Sequence, residues 1–130
     1  MKRILVLLFV CCFLSCSDDD NGFDIELNGT WTLTNVSCFC GFPDPPGFEN
    51  TQVTFVDVTN EVIVLNEESE VYFRENGVYS YTGSENTIVL EDGRAYNFEI
   101  NEDVLLLVFV DEPNIADDEI SYTFRKNADL

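Results

Sequence analysis

Cysteines are the residues of this chain with the clearest capacity for chemistry. Five occur among the 130 residues, and two of them, Cys38 and Cys40, are separated only by Phe39. Two thiols at this spacing can form a disulfide, act as soft metal ligands, or remain free in a buried loop. Two thiolates are too few for a zinc site, which takes four ligands. We predict no metal at this pair, and we predict a Cys38–Cys40 disulfide because the N-terminal sequence described below indicates export and cysteines of exported proteins usually pair.

The chain contains no histidine, so the commonest general base and zinc ligand is missing. Catalysis of the Ser-His-Asp or Cys-His kind is therefore excluded. Five of the 25 acidic residues lie between Asp111 and Glu119, and such carboxylates could bind Ca²⁺ or hydrolyse glycosides. This segment lacks the D-x-D-x-D-G spacing of a calcium loop, and a solvated acidic loop is the preferred interpretation. We predict no enzyme activity and no cofactor.

The N-terminus carries a second kind of cysteine chemistry. Ile4–Leu14 is an uncharged run of eleven residues behind a basic pair, which fits a secretory signal and is shorter than the ~20 residues of a membrane span. The Phe-Leu-Ser-Cys sequence that ends it resembles the lipobox of bacterial lipoproteins. The resemblance implies that residues 1–15 are a signal peptide and that Cys16 is lipidated, which would anchor the protein in a membrane. A plain secretory signal with a chance cysteine is the alternative.

A serine and three aspartates follow this cysteine, namely Ser17, Asp18, Asp19 and Asp20. They resemble the export signal of certain Gram-negative surface lipoproteins, which implies an outer-membrane protein at the cell surface. Residues 16–26 are predicted to form an acidic lipidated tether, and the alternative to an export signal is that these acidic residues only keep the tether solvated. After removal of the signal peptide, 25 acidic residues remain against four basic ones, a formal net charge of −21. That charge argues against nucleic acid as a partner.

Residues 27–130 are predicted to form one all-β domain. Apolar and polar residues alternate in eight segments separated by turn residues. The predicted strands are Thr30–Ser37, Gln52–Val58, Glu61–Asn66, Gly77–Thr82, Asn86–Glu91, Arg94–Ile100, Asp103–Val110 and Glu119–Lys126. Segment Glu67–Asn76 could add a ninth strand, and Asp92-Gly93 predicts a type I′ hairpin turn. Short connections favour up-and-down order, and an antiparallel sheet of this size closes into a barrel to hide its edges.

Both ends of this domain resemble small bacterial lipocalin-like domains. The segment LNGTWTL, residues 27–33, follows the pattern L-x-G-x-W-x-L of their opening strand. Ser121–Lys126 is similar to their closing strand, which ends in an aromatic residue followed by arginine. The resemblance implies that Trp31 forms the barrel floor and that Arg125 packs across it, a contact worth ~0.5–2 kcal/mol.

The barrel interior is predicted to be filled. An eight-stranded barrel either is filled by its own side chains or holds one small ligand, and eight rings are expected inside: Trp31, Phe55, Tyr79, Tyr81, Tyr96, Phe98, Tyr122 and Phe124. The long connection from Cys38 to Thr51 carries Phe39, Phe42 and Phe48. These phenylalanines form either a contact surface for a ligand or partner, or a cap over the barrel end.

The leading functional hypothesis is non-catalytic binding at the cell envelope. The barrel would bind a small apolar ligand in its mouth or a protein partner on its loop face. Two alternatives stay open: a protease-inhibitor-like barrel that acts on a protein partner, and an accessory structural lipoprotein with a filled core and no ligand.

Overall fold

The computed structural model describes residues 27–38, 40–110 and 120–128. Eight antiparallel strands close into one up-and-down barrel in sequence order, which confirms the predicted fold class. The strands are β1 Gly29–Ser37, β2 Thr51–Val56, β3 Glu61–Asn66, β4 Gly77–Ser84, β5 Thr87–Leu90, β6 Ala95–Asn101, β7 Val104–Phe109 and β8 Ser121–Lys126, with a 3₁₀ turn at Phe48–Asn50. In these ranges no helix has the length and apolar character to cross a membrane.

Alternation of apolar side chains decides which face of each strand is buried. In β3, Val62 and Val64 point into the barrel and are buried, whereas Ile63 and Leu65 are exposed. Successive side chains of a strand point to opposite faces, so the period of two in the sequence becomes an inner and an outer barrel surface.

The barrel closes where β1 pairs with β8. Leu33 lies opposite Phe124, and Asn35 lies opposite Thr123, so Thr34 is an extra residue in β1. Such a bulge shifts the strand by one residue and thereby changes which side chains face inward. The bulge explains why Leu33 and Val36 are both buried, although residues three apart in a regular strand point to opposite faces.

The turn between β5 and β6 differs from the prediction. The Gly93 N–H donates to the Leu90 carbonyl at 2.8 Å, and Leu90 in turn donates to the Arg94 carbonyl at 2.8 Å. Gly93 has a φ of 89°, whereas Asp92 is not among the residues with positive φ. A type I′ turn needs two such residues, so the predicted turn type is wrong, and the loop has three residues with glycine in the left-handed position.

The two ends of the barrel are unequal. The chain enters β1 at one end, here called the floor, which also carries the short turns 57–60, 85–86 and 102–103. The opposite end, here called the loop end, carries the connections 38–50, 67–76, 91–94 and 110–120. All long connections are therefore gathered at the end away from the N-terminal side of the domain.

The interior of the barrel is filled with side chains. The buried core includes the predicted rings Trp31, Phe55, Tyr81, Tyr96, Tyr122 and Phe124, while Tyr79 and Phe98 are partly buried and pack against them. Connection 67–76 is not a ninth strand. It instead inserts Phe73, which is only 5% exposed, among the rings of Tyr96 and Tyr122, whose centroids lie 5.3 Å and 5.1 Å from its own.

Candidate functional site

The floor of the barrel is built around Trp31. Its indole N–H donates to the Leu27 carbonyl at 2.7 Å, and both side chains are fully buried. Gly29 has a φ of 125°, and a Cβ there would lie 3.2 Å from Cε of Lys126. The L-x-G-x-W sequence therefore serves a structural purpose: leucine and tryptophan seal the floor, and glycine leaves room for a lysine.

The basic residue over the indole is Lys126, with its Nζ 5.3 Å from the ring centroid. The prediction that Arg125 covers Trp31 is wrong, because Arg125 points out of the barrel and its Nε lies 3.2 Å from Oδ2 of Asp103. Lys126 lies directly opposite Trp31 in the pairing of β1 with β8, so both side chains are on the inner face.

At the loop end, connection 38–50 folds onto connection 67–76. Phe42, Phe48 and Tyr72 form an edge-to-face trio with centroid separations of 4.8–5.5 Å, and the Tyr72 hydroxyl donates to the Pro46 carbonyl. Because Phe48 is buried and Phe42 is half-buried, Phe48 cannot act in a contact surface, and this part of the connection caps the barrel. Phe39 lies outside the described residues.

The structure contains a disulfide between Cys38 and Cys40 at the root of this connection. Cys38 is half-buried and packs against the core cluster. The predicted lipidation residue Cys16 and the predicted export-signal residues Ser17, Asp18, Asp19 and Asp20 lie outside the described ranges.

A buried polar residue fixes connection 67–76 to the barrel. Asn66, the last residue of β3, accepts a hydrogen bond from the Thr51 hydroxyl at 2.8 Å. Its side-chain amide donates to the Arg74 carbonyl at 2.9 Å and to Oδ1 of Asn76 at 2.8 Å. Both oxygen and nitrogen of the Asn66 amide are thus satisfied, as a buried amide requires, and the backbone of Arg74 is held in place.

Two arginines converge above the barrel rim. The Arg74 guanidinium forms an ion pair with Asp92 and lies 4.9 Å from the ring centroid of Tyr79. Arg94 reaches the same carboxylate, with its Nε 3.8 Å from Oδ2 of Asp92. The Arg94 backbone N–H also donates to Asp92 at 3.0 Å. One carboxylate is therefore shared by two guanidinium groups.

Two surface pockets flank this region. One, of about 230 Å³, is lined by Val71, Phe73, Arg74, Glu75, Tyr79 and Arg94. The other, of about 320 Å³, is lined chiefly by Pro43, Pro45, Pro46, Glu68, Glu70 and Tyr72. Both are lined mainly by residues of the connections at the loop end.

The protonation states at the loop end follow from burial and from the arginines. The backbone hydrogen bond from Arg94, reinforced by the ion pair with Arg74, holds the pKa of Asp92 below its usual value of 3.8. Burial raises the pKa of Tyr122 to about 12, and it raises the pKa of Tyr96 although both arginines oppose the shift. Asp92 is therefore ionised and both tyrosines are neutral at physiological pH.

Within residues 27–38, 40–110 and 120–128, no three His, Cys, Asp or Glu side chains are grouped so that they could hold a metal ion. The acidic segment from Asp111 to Glu119 lies wholly outside these ranges.

Sequence reasoning did not identify Phe73, Arg74 or Arg94 as members of one cluster. They come from a connection and a turn that lack periodicity, so no pattern places them at the same barrel end. The scarcity of basic residues was the available indication, because only four of them lie after residue 15 in a chain with 25 acidic residues.

No curated protein sequence matches this chain. The family model described as lipocalin-like domain matches residues 27–107, from the leucine of the floor into β7. This range is more than half of the 130 residues, and it agrees with the closed eight-stranded barrel. The chain therefore belongs to the lipocalin-like domain family.

Proposed function

We propose that this chain is a lipid-anchored lipoprotein of the outer membrane that binds a protein partner, without catalysis, at the loop end of a filled barrel. Lipocalin-like domains typically serve as non-catalytic binding folds. The observation that carries the proposal is the insertion of Phe73 into the aromatic core, which removes the room for an enclosed ligand.

Filling of the interior argues against a small apolar ligand in the barrel. An eight-stranded barrel has space for its own side chains or for one small ligand. Here Phe73 lies on Tyr96, Tyr122 and Phe124, with centroids 5.1–5.8 Å apart. A ligand could enter only if this ring left the core, so binding is assigned to the outer surface.

The loop end is the surface best suited to a partner. Binding residues are most often found on loops that a rigid scaffold holds in position. Connections 38–50 and 67–76 hold each other through Phe42, Phe48 and Tyr72, while Val71 beside them stays 51% exposed. A preformed surface of this kind loses little conformational entropy when it binds.

Site-specific photo-crosslinking in living cells tests the assignment. A photoreactive residue replaces Val71 at the loop end or, as a matched control, Val58 at the floor, which is 89% exposed. We expect one adduct of defined mass from the Val71 probe and none from the Val58 probe. Equal adduct patterns from both positions, or no adduct from Val71, would refute binding at the loop end.

Anchoring and surface display are supported by the lipobox-like sequence and by the acidic residues after it. We expect Cys16→Ser to abolish both incorporation of labelled palmitate and partitioning into detergent. Replacement of Asp18, Asp19 and Asp20 by Ala should retain the lipid but protect the protein from protease added to intact cells. Unchanged partitioning of the Cys16→Ser protein would show that the membrane anchor lies elsewhere.

A further inference from the structure

We propose that the pocket between Arg74, Arg94 and Tyr79 is a binding site for an anionic group, a carboxylate or a phosphate. This inference deepens the proposed function, because the site lies on the loop end to which the partner is assigned. The chemistry itself depends neither on the lipid anchor nor on a protein partner.

The distribution of positive charge is the first argument. Only four basic residues follow the signal segment, against 25 acidic residues. Two of them, Arg125 and Lys126, lie at the floor, where Arg125 pairs with Asp103 and Lys126 covers Trp31. The other two are 20 residues apart in the sequence and line the same pocket.

The local charge balance is the second argument. Asp92 is the one carboxylate, among the described residues, within ion-pair distance of Arg74 and Arg94. Glu75 also lines the pocket, but it forms no ion pair with either arginine in the described part of the chain. Two guanidinium groups thus share one paired carboxylate, which leaves donors free for a second anion.

Arg74 itself is incompletely satisfied. Its side chain is 14% exposed, and its Nε is buried without a hydrogen-bond partner. An unmade hydrogen bond of a buried charged group is costly. An anion in the pocket that Arg74 lines would offer a further acceptor to this guanidinium. Arg94, which is 54% exposed, supplies an accessible second guanidinium.

The site is held in place before any ligand arrives. Arg74 is fixed by Asn66 through its carbonyl, by Asp92 through its guanidinium and by the Tyr79 ring beneath it. The Tyr79 hydroxyl donates to the Glu75 carbonyl at 2.8 Å. Because these groups are ordered by the fold, an anion would not bear the entropic cost of ordering them.

The pocket walls limit the size of the ligand. Val71, Phe73 and Tyr79 provide apolar surface around about 230 Å³, below the roughly 300–1,000 Å³ of pockets for drug-sized ligands. A single charged group with a small apolar body fits this volume. Benzoate and inorganic phosphate are suitable probes, since one has an apolar ring and the other has none.

Titration of the purified mature chain, beginning at residue 16, with these two probes is the test. Amide ¹H–¹⁵N NMR spectra are recorded at constant ionic strength, with chloride as the reference anion. We expect saturable shifts confined to residues 71–79 and 91–96, with a Kd on the order of 1 mM. Trp31 at the floor should not shift. Absence of saturable shifts, or shifts spread over the whole barrel, would overturn the proposal.

A pair of variants with equal charge change separates a site from general electrostatics. Arg94→Gln should weaken binding at least tenfold, the effect expected for loss of one charge-assisted hydrogen bond. Arg125→Gln removes the same charge from an exposed ion pair at the floor and should change the Kd by less than twofold. Equal weakening in both variants would contradict a defined site.

Two sources could supply the anionic group, a free small molecule or an acidic residue of the protein partner. Benzoate added during crosslinking from Val71 distinguishes them. Loss of the adduct assigns the group to the partner, whereas an adduct that persists assigns the site to a free anion. If Val71 yields no adduct at all, the proposed partner is refuted while the titration still decides on the anion site.

Discussion

Replacement of Phe73 by alanine should destabilise the protein far more than its place in an irregular connection would indicate. The ring is buried, and its centroid lies within 6 Å of three other rings, those of Tyr96, Tyr122 and Phe124. Burial of an aromatic side chain removes roughly 150–250 Å² from water. At ~25 cal/mol per Å² this is an upper limit of ~4–6 kcal/mol, and measured Phe→Ala losses in protein cores are about 3–5 kcal/mol.

Urea unfolding followed by circular dichroism measures this loss. We expect the free energy of unfolding to fall by ~3–5 kcal/mol for Phe73→Ala, and by less than about 0.5 kcal/mol for Val71→Ala, whose side chain in the same connection is exposed. The variant should also bind benzene, because an engineered apolar cavity of this kind stays dry and accepts it. A loss below 1 kcal/mol would refute the filled barrel.

Three further predictions concern the charged and titratable groups. Lys126→Ala should lower the free energy of unfolding by ~0.5–2 kcal/mol through loss of the contact with Trp31. Arg125→Ala should lower it by less than ~1 kcal/mol, because its ion pair is exposed. Thermal unfolding of both variants compares the two losses. Because the pKa of Asp92 is lowered in the fold, its contribution is complete above about pH 4 and is lost at lower pH, so the stability difference between wild type and Asp92→Asn should shrink on acidification. Because burial raises the pKa of Tyr122 from 10.0 to about 12, the free energy of unfolding should fall as the pH rises from 10 to 12, and Tyr122→Phe should flatten this fall when urea unfolding is measured across that pH range.

Strands could be predicted where one face is buried. β3 was predicted with its observed bounds, Glu61–Asn66, because valines and exposed residues alternate along it without interruption. Other strands were predicted within a few residues. Their ends depend on hydrogen bonds between neighbouring strands, which a single segment does not reveal.

The alternation of inward and outward residues also determines the length of the loop between β5 and β6. In the structure Ile88 lies opposite Tyr96, and both face inward. A two-residue loop at Asp92-Gly93 would instead place Val89 opposite Tyr96, an outward residue against an inward one. Residues directly opposite each other in a sheet share a face, so only an odd number of loop residues is consistent with the buried pattern.

The period of two in β8 also explains why Lys126, and not Arg125, covers Trp31. The period of two that places Tyr122 and Phe124 inside β8 also places Lys126 inside and Arg125 outside. The family resemblance drew attention to the arginine, whereas the strand period indicated the lysine.

The role of Phe73 could not be predicted from the sequence. Connection 67–76 has no regular period, and its path depends on Asn66, which binds the Arg74 carbonyl and the Asn76 side chain. A polar residue at the end of a strand carries no signal for such a network. The cluster of Arg74 and Arg94 could not be predicted from the sequence either, because only tertiary contacts bring these two residues together.

Native mass spectrometry of the protein extracted gently from the cells that produce it tests the central claim most directly. A filled barrel predicts that the native mass equals the denatured mass, because no small apolar molecule is bound in the interior. A lipid-sized adduct that is retained in the native spectrum and lost on denaturation would contradict it, because such a molecule would need the space that Phe73 occupies.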